Sequence, residues 1–487
     1  MKKNKLLVRL LLLCLCLAML GTAFVSCADK NGPDEEQPTR PPREEETEDE
    51  NGFIYVSPNV NYNNDEFNIY TWTGTDEWVL DIDETTSSID SEIFYHFCNV
   101  EDELGVIFNI AQEVSGGWGN HETFVTNVAT LTGADNIDLI CQYSLSSVYG
   151  VLQGCYVNLA EVNYINWDAP YWSDDLRQAN TLNDKIFYCS GEISPSVVEN
   201  MFLMIFNYTL AENYGLGDLY ATVRSKDWTV AKLREMTTNI YQDMNNNEES
   251  DIGDRFGLVV STANHVDPLQ YGCDLPLLTV SEMGELEINP NASNEYGIDV
   301  TAALVDLLHT NPGAYVGNSI HPSYADAMKN GNSVFQVCVA SDVISTLSAS
   351  EINYGILPMP KYTKEQKDYY TCLSMVYSMF SIPTAANDPD QCGAVLEALA
   401  HDGYANLTPF IFEESLKSRY SKRPEDAEMF DILRGGVVYE PGRIMANIDI
   451  FSLIRNAVAE NESLTVRCER KLPVAKAGIV DVAFAFS

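Results

Sequence analysis

The chain has 487 residues, 45% of them hydrophobic, which suffices for a substantial core and suggests more than one compact unit. Its 29 basic and 71 acidic residues leave a formal charge of −42. That field repels phosphate backbones and anionic membrane surfaces, which excludes nucleic-acid binding and leaves neutral or cationic ligands in view.

The N-terminus reads as a processing signal. Lys2, Lys3, Lys5 and Arg9 precede an apolar run from Leu10 to Leu20, and Gly21, Thr22 and Ala23 then shorten the side chains. This is a secretory signal peptide over residues 1–27, too short to span a membrane. The segment Phe24-Val25-Ser26-Cys27 resembles a bacterial lipobox, with Phe24 in place of the usual branched aliphatic residue. The resemblance implies lipidation at Cys27, palmitate included; ordinary cleavage nearby is the plainer alternative. Residues 28–52 are acidic and proline-rich, a composition expected of a disordered, self-repelling tether.

Nine further cysteines (Cys98, Cys141, Cys155, Cys189, Cys273, Cys338, Cys372, Cys392 and Cys468) show no C-x-x-C spacing. Several, such as Cys141 in its apolar run, read as small buried hydrophobes, and the spacing supports no zinc or redox site.

Strands and helices then alternate. Phe67–Thr71 is a strand ending in Trp72-Thr73-Gly74, and Asp90–Leu104 a helix with Ile93, Phe94, Phe97, Val100 and Leu104 on one face. Val106–Ile110 is the next strand, Glu122–Leu131 a helix and Ile137–Cys141 a third strand. This order predicts a mostly parallel sheet flanked by helices, with ligands beyond the strands' carboxyl ends. Farther on, Thr229 caps a helix carrying Val230, Leu233, Met236 and Ile240. Helices are expected over Ile298–His309, Pro389–Ala400 and Pro409–Lys417, and strands over Ser333–Val339 and Tyr354–Leu357.

Six stretches, taken in this order, resemble the extracellular solute-binding proteins of sugar ABC importers. Asp76-Glu77-Trp78 with Ser91–Tyr95 is similar to that family's first loop and helix, and Thr132–Asp135 before Ile137-Asp138-Leu139 to its acidic turn and strand. Asp168–Trp172, Lys185–Gly191, Tyr354–Lys361 and Ser381–Ala386 match a Pro-aromatic-Trp element, a strand, a crossing segment and a late Ile-Pro segment. The resemblance implies an α/β, two-lobed periplasmic-binding-protein-like (type II) fold with discontinuous lobes. The expected division is 65–190 with 300–345 in lobe 1, and 191–299 with 346–487 in lobe 2. It implies no catalysis. The chain would be a monomer, lipid-anchored on the extracellular face of the cytoplasmic membrane, closing on a sugar or oligosaccharide and delivering it to ABC permease subunits.

For a sugar, aromatic faces and polar donors are expected in the cleft. Trp72 ranks first as a stacking platform, beside Asp76; the plainer reading is a Trp half-buried against its own lobe. Trp118, flanked by Gly116, Gly117 and Gly119, is a second candidate, as are Gln142, Tyr143 and Tyr377. Trp172 reads as a structural anchor near the hinge. Asp243, Asn245, Asn247, Glu249, Asp251 and Asp254 occupy positions 1, 3, 5, 7, 9 and 12 of an EF-hand-type loop, which suggests structural Ca²⁺. Glu248 stands where the turn glycine belongs, and a solvated acidic turn is the alternative.

An enzyme is the main rival class. The six histidines show no H-E-x-x-H spacing and no G-x-S-x-G elbow is present, while a glycosidase carboxylate pair is invisible in sequence. A glycan-binding surface protein or sensor without transport is the third reading. Peptides, polyols and polyamines stay open as ligands.

Overall fold

The computed structural model describes residues 53–73, 77–115, 120, 123–124, 127, 136–318, 327–347 and 350–487. The leader, Cys27, the tether, Asp76, Trp118 and most of the helix expected over 122–131 lie outside the described residues.

The first sheet has the order β13-β3-β1-β2. Strand β1 (Asp65–Thr73) is flanked by β2 (Val106–Ser115) and β3 (Leu139–Tyr143), both parallel to it. Residues 67–72 of β1 are all buried, as befits a strand covered on both faces. The connecting helix α1 (Ser88–Leu104) starts two residues before the expected Asp90, because Ser87 caps it by accepting the Asp90 amide at 3.1 Å. It stops at Gly105, whose φ of 63° closes the turn and whose absent side chain leaves room for Asn61.

The second sheet comprises β4 (Phe202–Asn207), β5 (Tyr241–Gln242), β6 (Arg255–Ser261), β9 (Ala314–Gly317), β10 (Ser333–Val339) and β11 (Tyr354–Leu357), in the order β11-β4-β10-β6-β5 with β9 also on β6. Two ribbons flank it: β7 (Leu278–Val280) pairs antiparallel with β8 (Leu286–Ile288), and β12 (Thr371–Cys372) parallel with β14 (Val437–Val438). Among the longer helices of Tyr55–Ser487, which is one compact unit, are α2 (Asp174–Asn180), α3 (Val266–Gly272), α4 (Glu295–Val305), α5 (Pro389–Asp402), α6 (Pro424–Gly435) and α7 (Leu464–Ala485). Thr229 caps its helix as expected, accepting the Lys232 amide at 3.2 Å. No described helix is long and apolar enough to cross a membrane.

The expected lobe boundaries need correction. The segment 300–345, assigned to lobe 1, supplies β9 and β10 to the second sheet, where β10 pairs antiparallel with β4. The segment 346–487, assigned to lobe 2, sends β13 (Ser378–Ser381) back to the first sheet, antiparallel to β3. Helix α5 follows it there, held to α1 by His96 Nδ1 and Asp402 at 2.8 Å, with both side chains buried. Two crossing segments therefore run antiparallel: Cys189 pairs with Phe380 at the first-sheet end and Met201 with Leu373 at the second-sheet end. A third passes through the helical segment Phe410–Tyr420. Arg419 Nη1 reaches Ser88 of the first lobe at 3.1 Å, while Tyr420 O accepts Tyr354 Oη of the second at 2.6 Å.

The nine cysteines of the folded part are all free, and seven of them are buried. Trp172 is the anchor its sequence context suggested. It is buried and donates Nε1–H to Glu397 of α5 at 3.1 Å, beside the Tyr171 hydroxyl on the same carboxylate.

Candidate functional site

A cavity of about 390 Å³ lies where the two lobes meet. Asp175, Gln178 and Ala179 of α2 form its first-lobe wall. The second-lobe wall is made by Tyr271 at the end of α3, Asp274, Pro276, Leu278–Val280 of β7, Tyr370, and Val438–Pro441. A short capped helix thus faces a β-ribbon edge and a proline-ended turn, and polar tips from both lobes converge on one space. Its size falls within the range of small-molecule sites.

The wall is built around buried charge. Glu440 accepts the Tyr271 hydroxyl at 2.8 Å and the Leu278 amide at 2.5 Å. Burial raises its carboxyl above the usual range, against the pull of these donors. Behind it, Arg443 lies over the Tyr271 ring at 5.5 Å, pairs with Asp267 at 2.5 Å and donates to Leu373 O at 3.0 Å. Arg455 Nε also donates to Asp267, at 2.7 Å. Burial opposes the Asp267 charge, but the two guanidinium groups together hold its carboxyl below the ordinary value. Glu440, Tyr271 and Arg443 are fixed in place. Tyr370 and Tyr439, both partly buried, line the cavity. Asp274 is raised by burial and then by Asp368. The arrangement offers aromatic faces, carboxylate acceptors and an amide, a set suited to polyhydroxylated ligands.

Of the residues expected from sequence, the four that are described, Trp72, Gln142, Tyr143 and Tyr377, do not line this cavity. Trp72 is not an open platform: it is buried, its ring packs against Tyr143 at 5.1 Å, and its N–H goes to Ser378 Oγ at 2.9 Å. Gln142 is fully buried and spends both ends of its amide, donating to Ser381 at 2.8 Å and accepting Tyr156 Oη at 2.6 Å. Tyr143 is buried beside Arg443 and Arg455; burial pushes its hydroxyl up to about 12 despite their opposing charge. Tyr377 is buried one ring from the cavity, with its centroid 6.3 Å from that of Tyr439. Sequence reasoning missed Asp175, Gln178, Tyr271, Asp274, Tyr370, Tyr439 and Glu440. The run Tyr439-Glu440-Pro441-Gly442-Arg443 was the available signal, an aromatic, an acid and a base around a turn.

The acidic loop from Asp243 to Asp254 is a chain of local turns. Asn245 and Asn247 both donate to Asp251, at 3.2 and 2.7 Å. The Asp243 carboxylate receives the Asn246 and Glu248 amides, and Asn246 and Glu248 both have positive φ. Glu249 donates its amide to Asn247 Oδ1. Asp254 is withdrawn beneath the loop, buried and bonded to the Met244 amide at 3.0 Å and Tyr241 Oη at 3.2 Å. Among the described residues no group of three or more His, Cys, Asp or Glu side chains gathers as a metal site. A further cavity of about 500 Å³, lined by Tyr208, Tyr220, Arg423 and Glu425 among others, belongs to the second lobe alone.

No protein-family model and no curated protein matches the sequence. Solved structures do. The GacH receptor of Streptomyces glaucescens, determined unliganded and with acarbose, superposes with a TM-score of 0.55 at 13% identity, over 85% of this chain and 99% of that one. The maltose/maltodextrin-binding domain MalE of Bdellovibrio bacteriovorus, bound to maltotriose, gives 0.55 at 11% identity over 85% and 100%. UgpB of Mycobacterium tuberculosis, in complex with glycerophosphocholine, gives 0.54 at 12% over 86% and 98%. At this identity the likeness establishes the fold: an α/β, two-lobed binding-protein architecture spanning the whole length of these neighbours.

Proposed function

We propose that the chain is an extracellular solute-binding protein of an ABC importer, which closes its lobes on a small carbohydrate and hands it unaltered to permease subunits. The observation that carries this reading is the cavity shared by α2 and the Tyr370, Tyr439 and Glu440 wall, since closure of two lobes on a ligand requires a site built from both. The ligands bound by the neighbours, acarbose and maltotriose, support a sugar; glycerophosphocholine keeps a polar non-sugar in view. Calorimetry with mono- and malto-oligosaccharides, followed by chromatography of the ligand, tests the reading. Binding heat with intact saccharide supports it. Shortened products would make the chain an enzyme, and silence toward every saccharide would overturn the ligand class.

Anchoring through a lipid on Cys27, with residues 28–52 as the spacer, belongs to the same proposal. It rests on the leader and the lipobox-like segment. Cys27→Ala should move the protein from the membrane fraction to the medium; retention in the membrane would refute the anchor.

For the 243–254 loop we propose structural Ca²⁺. The candidate donors are all oxygen: Asn245 and Asn247, whose Nδ2 groups donate to Asp251, would turn their Oδ1 atoms to the ion, near the Asp243 carboxylate that holds the Asn246 and Glu248 amides. Asp254 would brace the turn from below, not coordinate. Calcium should raise the melting temperature, EGTA should reverse the rise, and Asp251→Asn should abolish it. An unchanged melting curve would exclude the ion.

A further inference from the structure

Helix α2 has a second polar face. Asp175, Gln178 and Ala179 look toward the cavity between the lobes, whereas Leu176, Arg177 and Asn180 line a separate small cavity inside the first lobe, closed by Trp172, Tyr188 and Ser190. Asn180, Tyr188 and Ser190 are 1%, 0% and 2% exposed. Neither end of the Asn180 amide has a protein hydrogen-bond partner; nor do the hydroxyls of Tyr188 and Ser190, or Arg177 Nε. Five buried polar atoms around one cavity depart sharply from the rule that such groups are satisfied, and each would otherwise hold an uncompensated loss of hydration.

We propose that this cavity is a built water site joining the end of α2 to the first crossing segment. The interior measures about 10 Å³, near the lower limit for holding a single water and far too small for a sugar ring. The chemistry fits water and not a metal ion. Asn180 presents a donor and an acceptor, the two hydroxyls rotate to serve as either, and Arg177 Nε only donates. One water bonded to three of these groups satisfies them through its own two donors and two acceptor positions. The consequence is mechanical: Ser190 follows Cys189, the residue that pairs with Phe380 where the crossing begins, so the water ties the cleft-wall helix to the hinge.

An atomic-resolution crystal structure of the protein, together with the urea midpoints of Asn180→Leu and Asn180→Ala, tests this. We expect a fully occupied water within hydrogen-bond distance of Asn180, Tyr188 and Ser190. Asn180→Leu should lower the midpoint more than Asn180→Ala, which leaves room for a second water. An empty cavity, direct bonds among Asn180, Tyr188 and Ser190 that close it, or a midpoint unchanged or raised in Asn180→Leu would each overturn the proposal. None of these readings depends on which ligand occupies the site between the lobes.

Discussion

Trp72 donates its indole N–H to Ser378 Oγ at 2.9 Å, and Ser378 in turn gives its hydroxyl to the buried carboxylate of Glu77. Glu77 also accepts the Ser194 hydroxyl, so one carboxylate holds both antiparallel crossing segments against the loop that follows β1. Ser196 completes the cluster by accepting the Ser378 amide at 3.1 Å.

Trp72 is therefore expected to act on stability and not directly on ligand. Trp72→Ala should lower the unfolding free energy by about 3–5 kcal/mol through the space it leaves. Trp72→Phe should cost about 1–3 kcal/mol, because a buried hydroxyl loses a donor. Urea denaturation measures both, with calorimetry on the folded Phe variant as the control. A large loss of affinity in Trp72→Phe with unchanged stability would restore the stacking role.

The half-buried tyrosines make the opposite forecast. Tyr439→Ala or Tyr370→Ala should weaken saccharide binding about tenfold, equivalent to about 1.4 kcal/mol, with a smaller change in the urea midpoint than Trp72→Ala, since both side chains are only partly buried and line the cavity. Glu440→Gln should weaken binding as well, by removing one of the two acceptors that Tyr271 and Leu278 engage. Titrations of all three with the same saccharide decide the matter. Wild-type affinity in the Tyr370 and Tyr439 variants together would remove the aromatic wall from the binding site.

The contrast between Trp72 and Tyr439 shows what local sequence conveys. Strand β1, helix α1 and the Thr229 cap were legible because period, burial and capping are encoded within a few residues. Gln142 was not, because its partner Ser381 arrives from 239 positions away and turns a strand-end amide into core. The lobe assignment of β10 failed for a related reason. Its apolar run Val334-Phe335 fits either sheet, and its pairing with β4 on one side and β6 on the other selects the second. The cavity gathers α2, β7 and Tyr439 from stretches far apart in the chain, so the Tyr439–Arg443 run alone could not show which elements it would meet.

Glu397 supplies a pH test. It is buried in α5 among Tyr171, Trp172 and the Asn166 amide, and burial raises its carboxyl despite these donors. A carboxyl whose folded value is raised contributes stability that is complete below its unfolded value, near 4.3, and is lost as pH rises through the folded value. Relative to wild type, E397Q should therefore gain stability as pH rises above about 4.3, and the gain should level off once the folded carboxyl has ionised. Melting temperatures of both proteins between about pH 4 and 8 give the slope. A flat difference would mean that the fold leaves this carboxyl unshifted, and one that falls with pH would mean that the carboxylate is favoured in the fold.

His265 titrates in the other sense. Its Nδ1 accepts the Ser261 amide at 3.1 Å, while its own amide donates to Ser261 O at 3.0 Å, which fixes the neutral ring with its proton on Nε2. Burial lowers the imidazole to about 4, and nearby Asp267 only partly opposes this because Arg443 and Arg455 occupy its carboxylate. A depressed histidine contributes stability that is whole above its unfolded value, near 6.5, and that drains away as pH falls toward 4. Its ring resonances in NMR should stay at the neutral position at pH 5.5, where an ordinary histidine is mostly protonated. Protonation at Nδ1 would also release the Ser261 amide at the end of β6, so the Ser261 resonance should move with the ring. Titration of His265 near 6.5 with Ser261 unmoved would show that this hydrogen bond does not hold the ring neutral.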